Sequence, residues 1–354
     1  DRMAVKLTPK ENFLRMIKGE IPQSVPLYTM GMAMPGSPRP PTHSIGPNVG
    51  MFADLMEDQM SGKPVPDKMV NEWGVTMVGN KEGMGGMLPE PGNFLLQDVR
   101  DWRKVIKAPP PLETSDSWWA DKAKKDIEKS GIDRTQSLAA VMALYSPFTS
   151  FISFTGFNEG LCALFEEPEE VKEFLNWQLD YYMPVMDKII KYYEPDLVGM
   201  GDDTATRRNP FFSVEMYRDI FKPIYQREAK PFTDRGIWVE FHNCGRCEDF
   251  VPEMCDFGVK GWDPAQTDND LVKAKSNNDI SALGGFDWKP PAAGAVTEEY
   301  VRQQVRDTFA KYAPGGRYAW LGMIMTETGD PNGAVWNGWL MDEVNKLADN
   351  YYEK

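Results

Sequence analysis

The chain is poor in histidine, in cysteine and in long apolar runs. Its 354 residues include only two histidines and four cysteines. So few cysteines do not make a disulfide framework, which favours a reducing compartment, and we expect a cytoplasmic protein. No apolar run is long enough to predict a transmembrane helix. The first residues also lack the apolar core of a signal peptide, so no membrane association is expected.

Positive charge is scarce as well. The 39 lysines and arginines are outnumbered by 53 aspartates and glutamates, and the net charge is −14. This balance argues against a nucleic-acid binder, whose affinity depends on neutralising phosphates. The excess of acidic residues is consistent either with a partner that has a basic face or with a general contribution to solubility. A hydrophobic fraction of 42% is typical of a soluble globular protein.

The order of predicted elements indicates the fold. Strands alternate with helices beyond Leu138, and such alternation is typical of right-handed βα units around a parallel sheet. The predicted strands lie at 25–30, 71–78, 138–143, 196–200, 237–241, 258–262, 280–284 and 317–323, and the longer helices at 115–129, 168–192, 297–312 and 338–352. No glycine-rich dinucleotide loop follows an early strand, which disfavours a doubly wound sheet. We therefore predict an α/β protein with one (β/α)8 TIM-barrel domain over residues 1–354 and an N-terminal helical and irregular extension.

Chemically active side chains follow several of these strands. Residues 237–247 read Ile-Trp-Val-Glu-Phe-His-Asn-Cys-Gly-Arg-Cys and bring His242, Cys244 and Cys247 within six positions. Imidazole and thiolate are preferred zinc ligands. An unliganded redox pair of cysteines, or residues that merely fill a core, would show the same pattern. Acidic residues lie at the ends of other predicted strands, namely Asp202, Asp203, Asp263, Asp287 and Glu327. The carboxyl ends of the strands form the catalytic face of a barrel.

Several longer segments resemble one family in order along nearly the whole chain. They are Asn71-Glu72-Trp73-Gly74-Val75, Gly201-Asp202-Asp203-Thr204, residues 213–223, Phe241-His242-Asn243-Cys244-Gly245, Gly284-Gly285-Phe286-Asp287 and residues 313–318. With these motifs the chain resembles the uroporphyrinogen decarboxylase superfamily and, within it, the corrinoid-linked methyltransferases. The resemblance also implies a (β/α)8 barrel.

The resemblance separates the branches of that superfamily. A true decarboxylase carries an arginine-bearing segment after the first strand, whereas residues 28–34 here contain no arginine to pair with substrate carboxylates. The family's zinc methyltransferases use a His-x-Cys pair and a distant cysteine after the last strand. His242 and Cys244 match the pair, but no cysteine occurs in residues 321–327. Cys247 and Glu327 are therefore the candidates to complete the metal site.

The resemblance implies transfer of a methyl group between a small methylated substrate and the cobalt of a corrinoid protein, with zinc as Lewis acid. A site with less thiolate donation favours ether activation, hence O-demethylation of a methoxylated aromatic. The candidate site residues are Asp202, Asp203 and His242 for catalysis and Tyr28, Met30, Trp262 and Asp287 for the substrate. Three alternatives remain: a decarboxylase-like tetrapyrrole protein, a non-catalytic corrinoid-binding barrel, and a redox protein using Cys244 and Cys247.

Overall fold

The computed structural model describes residues 6–29, 40–47, 66–79, 87–287, 296–326, 330–349 and 351–352. Two residues predicted for the site, Met30 and Glu327, lie outside the described residues. None of the described helices is long and apolar enough to cross a membrane.

A curled sheet of seven parallel strands forms the centre of the molecule. The strands are β1 (Thr42–Ser44), β5 (Leu138–Met142), β6 (Leu197–Gly201), β7 (Trp238–His242), β8 (Val259–Ala265), β9 (Ser281–Gly285) and β10 (Tyr318–Leu321). They pair in the order β1-β5-β6-β7-β8-β9-β10. A parallel bridge between Leu27 and Trp320 adds an eighth extended segment beside β10. The predicted α/β, TIM-barrel-like fold is thereby confirmed.

Helices connect these strands and surround the sheet. They are α1 (Pro9–Ile17), α2 (Trp102–Val105), α3 (Asp116–Ser130), α4 (Pro147–Thr155), α5 (Phe157–Glu166), α6 (Pro168–Tyr193), α7 (Val214–Met216), α8 (Lys222–Thr233), α9 (Val251–Asp256), α10 (Leu271–Asn277), α11 (Glu298–Tyr312) and α12 (Pro331–Ala348). A π-helical turn over Tyr217–Phe221 joins α7 to α8, and 3-10 turns at Val99–Asp101 and Glu248–Phe250 precede α2 and α9.

Alternating side chains of the strands separate two cores. One set, including Leu138, Leu197 and Leu283, packs inside the sheet against Phe13 and Met16 of α1. The opposite set packs against the surrounding helices. Helix α1 begins at a Thr8–Glu11 capping box. Because α1 contacts residues at the starts of β5, β6 and β9, it covers the N-terminal end of the barrel and leaves the opposite end for a site.

Two sequence-based assignments need correction. Residues 71–78, predicted as one strand, contain a turn between β2 (Lys68–Val70) and β3 (Thr76–Gly79), which form a small antiparallel sheet with β4 (Met87–Pro89). The Asn71 side chain accepts hydrogen bonds from the amides of Trp73 and Val75, and this local pairing replaces a strand ladder. The last helix begins at Pro331 rather than 338, because Asp330 caps its first turn.

Candidate metal centre

His242 stands on the inner face of the barrel at the end of β7. Strand register places it between Gly201 of β6 and Asp263 of β8. Its neighbour Phe241 points the other way and packs against Tyr225, as strand alternation requires. A side chain at position 201 would not fit easily, since a Cβ there would lie 3.0 Å from the His242 Cβ. Glycine in β6 thus leaves room for the imidazole.

A buried carboxylate orients this imidazole. The Nδ1 atom of His242 lies 2.9 Å from Oδ1 of Asp263, whose side chain is only 2% exposed. Burial alone would lower the pKa of His242, but the hydrogen bond and charge of Asp263 outweigh it and hold that pKa well above its usual value. With Nδ1 directed at Asp263, the Nε2 atom faces the opposite direction, towards Cys244. This arrangement is typical of metal-binding histidines.

Three ligand atoms of different chemistry converge beyond the strand ends. One atom each of Asp203, His242 and Cys244 lies within 4.8 Å of the others. The Cys244 sulfur is 3.5 Å from Nε2 of His242, and the Cys244 amide donates to Oδ1 of Asp203 at 3.0 Å. For tetrahedral zinc with ordinary Zn–N and Zn–S bonds, the nitrogen-to-sulfur separation is about 3.6 Å. The observed spacing therefore fits a shared metal ion.

Burial keeps the Cys244 thiol protonated in the absence of such an ion. It raises the pKa of this thiol, while the hydrogen bond from His242 opposes that effect and the nearby Asp203 charge reinforces it. Metal binding releases the thiol proton, because the thiolate is the ligand.

Close packing of two loops brings Asp203 to Cys244. Gly245 adopts a φ of +87°, and a Cβ there would lie 2.6 Å from the carbonyl oxygens of both Ala205 and Thr206. The amide of Arg246 donates to the same Thr206 oxygen at 2.7 Å. Since no side chain could occupy that gap, the two loops can approach this closely at position 245 only because the residue is glycine.

The structure does not bring Cys247 into this group. Its side chain is fully buried, and its sulfur donates to the carbonyl oxygen of Asn243 at 3.4 Å. Its amide donates to Oδ1 of Asn269. Burial raises the pKa of the Cys247 thiol well above its usual value, which also disfavours a reactive redox pair with Cys244.

Asp202 and Asp203 face different surroundings although they are adjacent. Asp202 is buried and accepts hydrogen bonds from the amides of Phe148 and Thr149 at the start of α4. It also accepts from the hydroxyl of Tyr225 at 2.9 Å. Burial raises the pKa of Asp202 to about 6, although these donors oppose the shift. Asp202 thus anchors α4, and the carboxylate beside Cys244 is that of Asp203.

The predicted substrate residues occupy three separate environments. Tyr28 is buried inside the barrel and stacks on Phe13. Trp262 is fully buried on the outer side of β8, where its Nε1 donates to the Asn243 carbonyl at 3.1 Å. Asp287 is exposed at the rim after β9, 3.6 Å from Nη2 of Arg207. Trp262 therefore supports the loop after β7 instead of lining the interior.

Sequence reasoning missed Glu240, two residues before His242 on the same face of β7. The residue is 4% exposed, and its Oε1 atom has no hydrogen-bond partner among the described residues. Burial raises the pKa of Glu240 well above its usual value. Register places it between Gly199 and Gly261, which leave space for it. The two-residue strand period, applied to the segment around His242, would have identified it.

The chain thus combines a TIM-barrel-like fold with a group of nitrogen, sulfur and oxygen atoms that could hold a metal ion at the carboxyl ends of its strands. Residues 129–320, more than half of the chain, match the uroporphyrinogen decarboxylase (URO-D) family. The chain belongs to that family.

Solved structures agree with the fold. Among 30 matching chains is a methyltransferase from Methanosarcina mazei, which is similar to this chain with a TM-score of 0.57 and 14% sequence identity. The alignment covers 97% of this chain and 99% of that one. No curated protein sequence matches.

Proposed function

We propose that the protein is a methyltransferase that moves a methyl group between a small methylated substrate and the cobalt of a corrinoid protein. The observation that carries this proposal is the convergence of Asp203, His242 and Cys244 at the carboxyl ends of the strands. Family membership and the fold shared with the Methanosarcina mazei methyltransferase support it. A methoxylated aromatic is the favoured substrate, which makes the reaction an O-demethylation.

Zinc is the proposed metal, held by Nε2 of His242, the Cys244 sulfur and a carboxylate oxygen of Asp203. The donor set suits zinc, and three protein ligands with an open position are typical of catalytic zinc sites. Asp203 would then fill the place of the cysteine missing after the last strand, while the Cys247 sulfur remains on Asn243. When bound, zinc would act as a Lewis acid that stabilises negative charge on the departing oxygen.

The substrate reaction is a displacement at carbon. The methyl carbon would pass to cobalt(I) of the partner's corrinoid as the carbon–oxygen bond breaks, and the electron pair of that bond would stay on the oxygen. The resulting phenolate takes up a proton from solvent. The roles of the chain's own residues follow from their contacts: Asp263 fixes the ring of His242, Asp203 contributes negative charge beside Cys244, and Asp202 holds the start of α4.

The barrel interior would set the orientation of the substrate. Glu240 and Tyr28 supply hydrogen-bonding groups on the inner face below His242. At the rim, Asp287 and Asp268 both pair with Arg207, which ties the loop after β6 to those after β8 and β9. This arginine is therefore engaged by carboxylates of the chain itself, in contrast to the free cations that a multiply carboxylated tetrapyrrole would require.

Metal analysis combined with methyl transfer tests the proposal. Wild-type protein should bind about one zinc ion, and His242→Ala, Cys244→Ala and Asp203→Ala should each lower that content. Methyl transfer from methoxyarenes, methanol and methylamines to cob(I)alamin is then followed by the absorbance of methylcobalamin. Absence of both zinc and cobalt methylation across the panel would refute the proposal. Cobalamin binding without methylation would indicate the non-catalytic barrel, and carbon dioxide release from uroporphyrinogen a decarboxylase.

A further inference from the structure

Helix α5 presents an apolar row to solvent. Phe157, Leu161 and Phe165 are spaced four residues apart, so they lie along one side of the helix. Phe165 is 79% exposed and Phe157 is 41% exposed, while Leu161 is half-buried. Leu164 of the same helix is buried in the main core and holds α5 in place. Such exposure of large apolar side chains is typical of a contact surface.

This row begins at the loop that carries Asp203. The ring of Phe157 packs edge-on against Phe211, with centroids 4.8 Å apart. The Phe211 amide donates to the carbonyl oxygen of Thr204 at 2.9 Å, and Thr204 directly follows Asp203. Phe165 lies near the other end of α5. A molecule seated on α5 would therefore lie beside the loop that carries Asp203.

The charges on α5 are all of one sign. Residues 147–166, which include α4 and α5, contain Glu159 and Glu166 and no lysine or arginine. Both glutamates are exposed, and neither forms an ion pair within the described part of the chain. A complementary surface would have an apolar centre with lysine or arginine at its edge.

We propose that this surface, formed by Phe157, Leu161, Phe165, Glu159 and Glu166, docks the protein that carries the corrinoid. This inference rests on the proposed function, because that reaction requires cobalt to reach the substrate at the barrel mouth. Docking on α5 holds the partner beside the mouth and leaves the mouth open to the cofactor. The partner's contact face is accordingly apolar at its centre and basic at its edge.

Comparison of two methyl acceptors tests the docking surface. The probes are free cob(I)alamin and a corrinoid protein from the same organism, reconstituted with hydroxocobalamin and reduced. Phe165→Ser should lower kcat/KM for the corrinoid protein at least about tenfold, mainly through KM, and leave the rate with free cob(I)alamin unchanged. The charge-reversed variant Glu159→Lys/Glu166→Lys should lose affinity for the protein acceptor and the salt dependence of its association.

A matched control lies at the other end of the barrel. Ile21 is 46% exposed beside Gly316, near α1, and Ile21→Ser should leave both rates unchanged. Full activity of Phe165→Ser and of the charge-reversed variant with the corrinoid protein would overturn the docking proposal alone. Inactivity of wild-type protein with free cob(I)alamin would overturn the proposed function and the docking proposal together. Sedimentation that shows a dimer in wild type and a monomer in Phe165→Ser would assign the surface to a second copy and overturn the proposal.

Discussion

Replacement of Gly245 by alanine should separate the two loops that form the candidate metal centre. The added Cβ would lie 2.6 Å from the carbonyl oxygens of Ala205 and Thr206. A carbon and an oxygen normally approach to about 3.3 Å at closest, so the loops must move apart by about 0.7 Å. The amide of Arg246 would then lose its hydrogen bond to Thr206, and the contact of Cys244 with Asp203 would lengthen.

Two contributions to the free energy of unfolding can be separated. The left-handed backbone at a φ of +87° costs an alanine about 1–2 kcal/mol. Loss of the Arg246 hydrogen bond and the enforced loop movement add about 1–3 kcal/mol. We therefore expect a total loss of about 2–5 kcal/mol, together with weaker zinc binding. Only the second contribution affects the metal centre.

Gly236→Ala is the matched control. Gly236 has a φ of +72°, and no heavy atom lies within 4 Å of the position that a Cβ would take there. This variant should show the backbone cost alone and bind zinc as wild type does. Urea unfolding measures the stability of both variants, and titration against a chromogenic chelator measures zinc affinity. Equal zinc affinity of Gly245→Ala and Gly236→Ala would refute the claim that close contact of these loops forms the site.

Three further predictions concern single residues. Asp263→Asn should weaken zinc binding about 10- to 100-fold, because His242 loses the carboxylate that orients it. Competition with a chelator measures this affinity, and an unchanged value would show that the contact is unimportant. Asp203→Asn should weaken zinc binding but barely change the melting temperature, since the residue is exposed; unchanged affinity would remove it from the ligand set. Burial lowers the pKa of Lys275 to about 8, so the unfolded state binds more protons between pH 8 and 10. The unfolding free energy of wild type relative to Lys275→Met should therefore rise across that window, by at most about 1.4 kcal/mol per pH unit, and a flat difference would contradict the shift.

Sequence patterns predicted the strands well because each inner strand is a short apolar run bounded by turn residues. The strand predicted at 237–241 is observed as Trp238–His242, and the one predicted at 280–284 as Ser281–Gly285. Strand ends then placed His242 at the mouth, since the carboxyl ends of parallel strands meet on one face. The turn at Asn71 was missed because a side chain, and not the apolar pattern, determines it.

The arrangement of the site depended on contacts between loops, which local patterns do not contain. The sequence does not distinguish the roles of Asp202 and Asp203. In the structure the amides at the start of α4 donate to Asp202, whereas Asp203 lies beside Cys244. The absence of a side chain at Gly245 permits that approach. The carbonyl groups that require it, those of Ala205 and Thr206, are distant in sequence and close in space. Glu240 was missed as well, although the two-residue period of its strand would have been sufficient to identify it.

The two cysteines after β7 should respond differently to the same substitution. Cys247→Ala removes a sulfur that is buried against the Asn243 carbonyl, so it should cost about 1 kcal/mol of stability and leave zinc content near wild type. Cys244→Ala removes the sulfur that lies 3.5 Å from Nε2 of His242, and zinc should be lost without a comparable loss of stability. Zinc analysis after gel filtration, paired with urea unfolding, distinguishes the two effects. Loss of zinc in Cys247→Ala at unchanged stability would show that Cys247, and not Asp203, completes the ligand set, because a purely packing role for Cys247 cannot alter metal content.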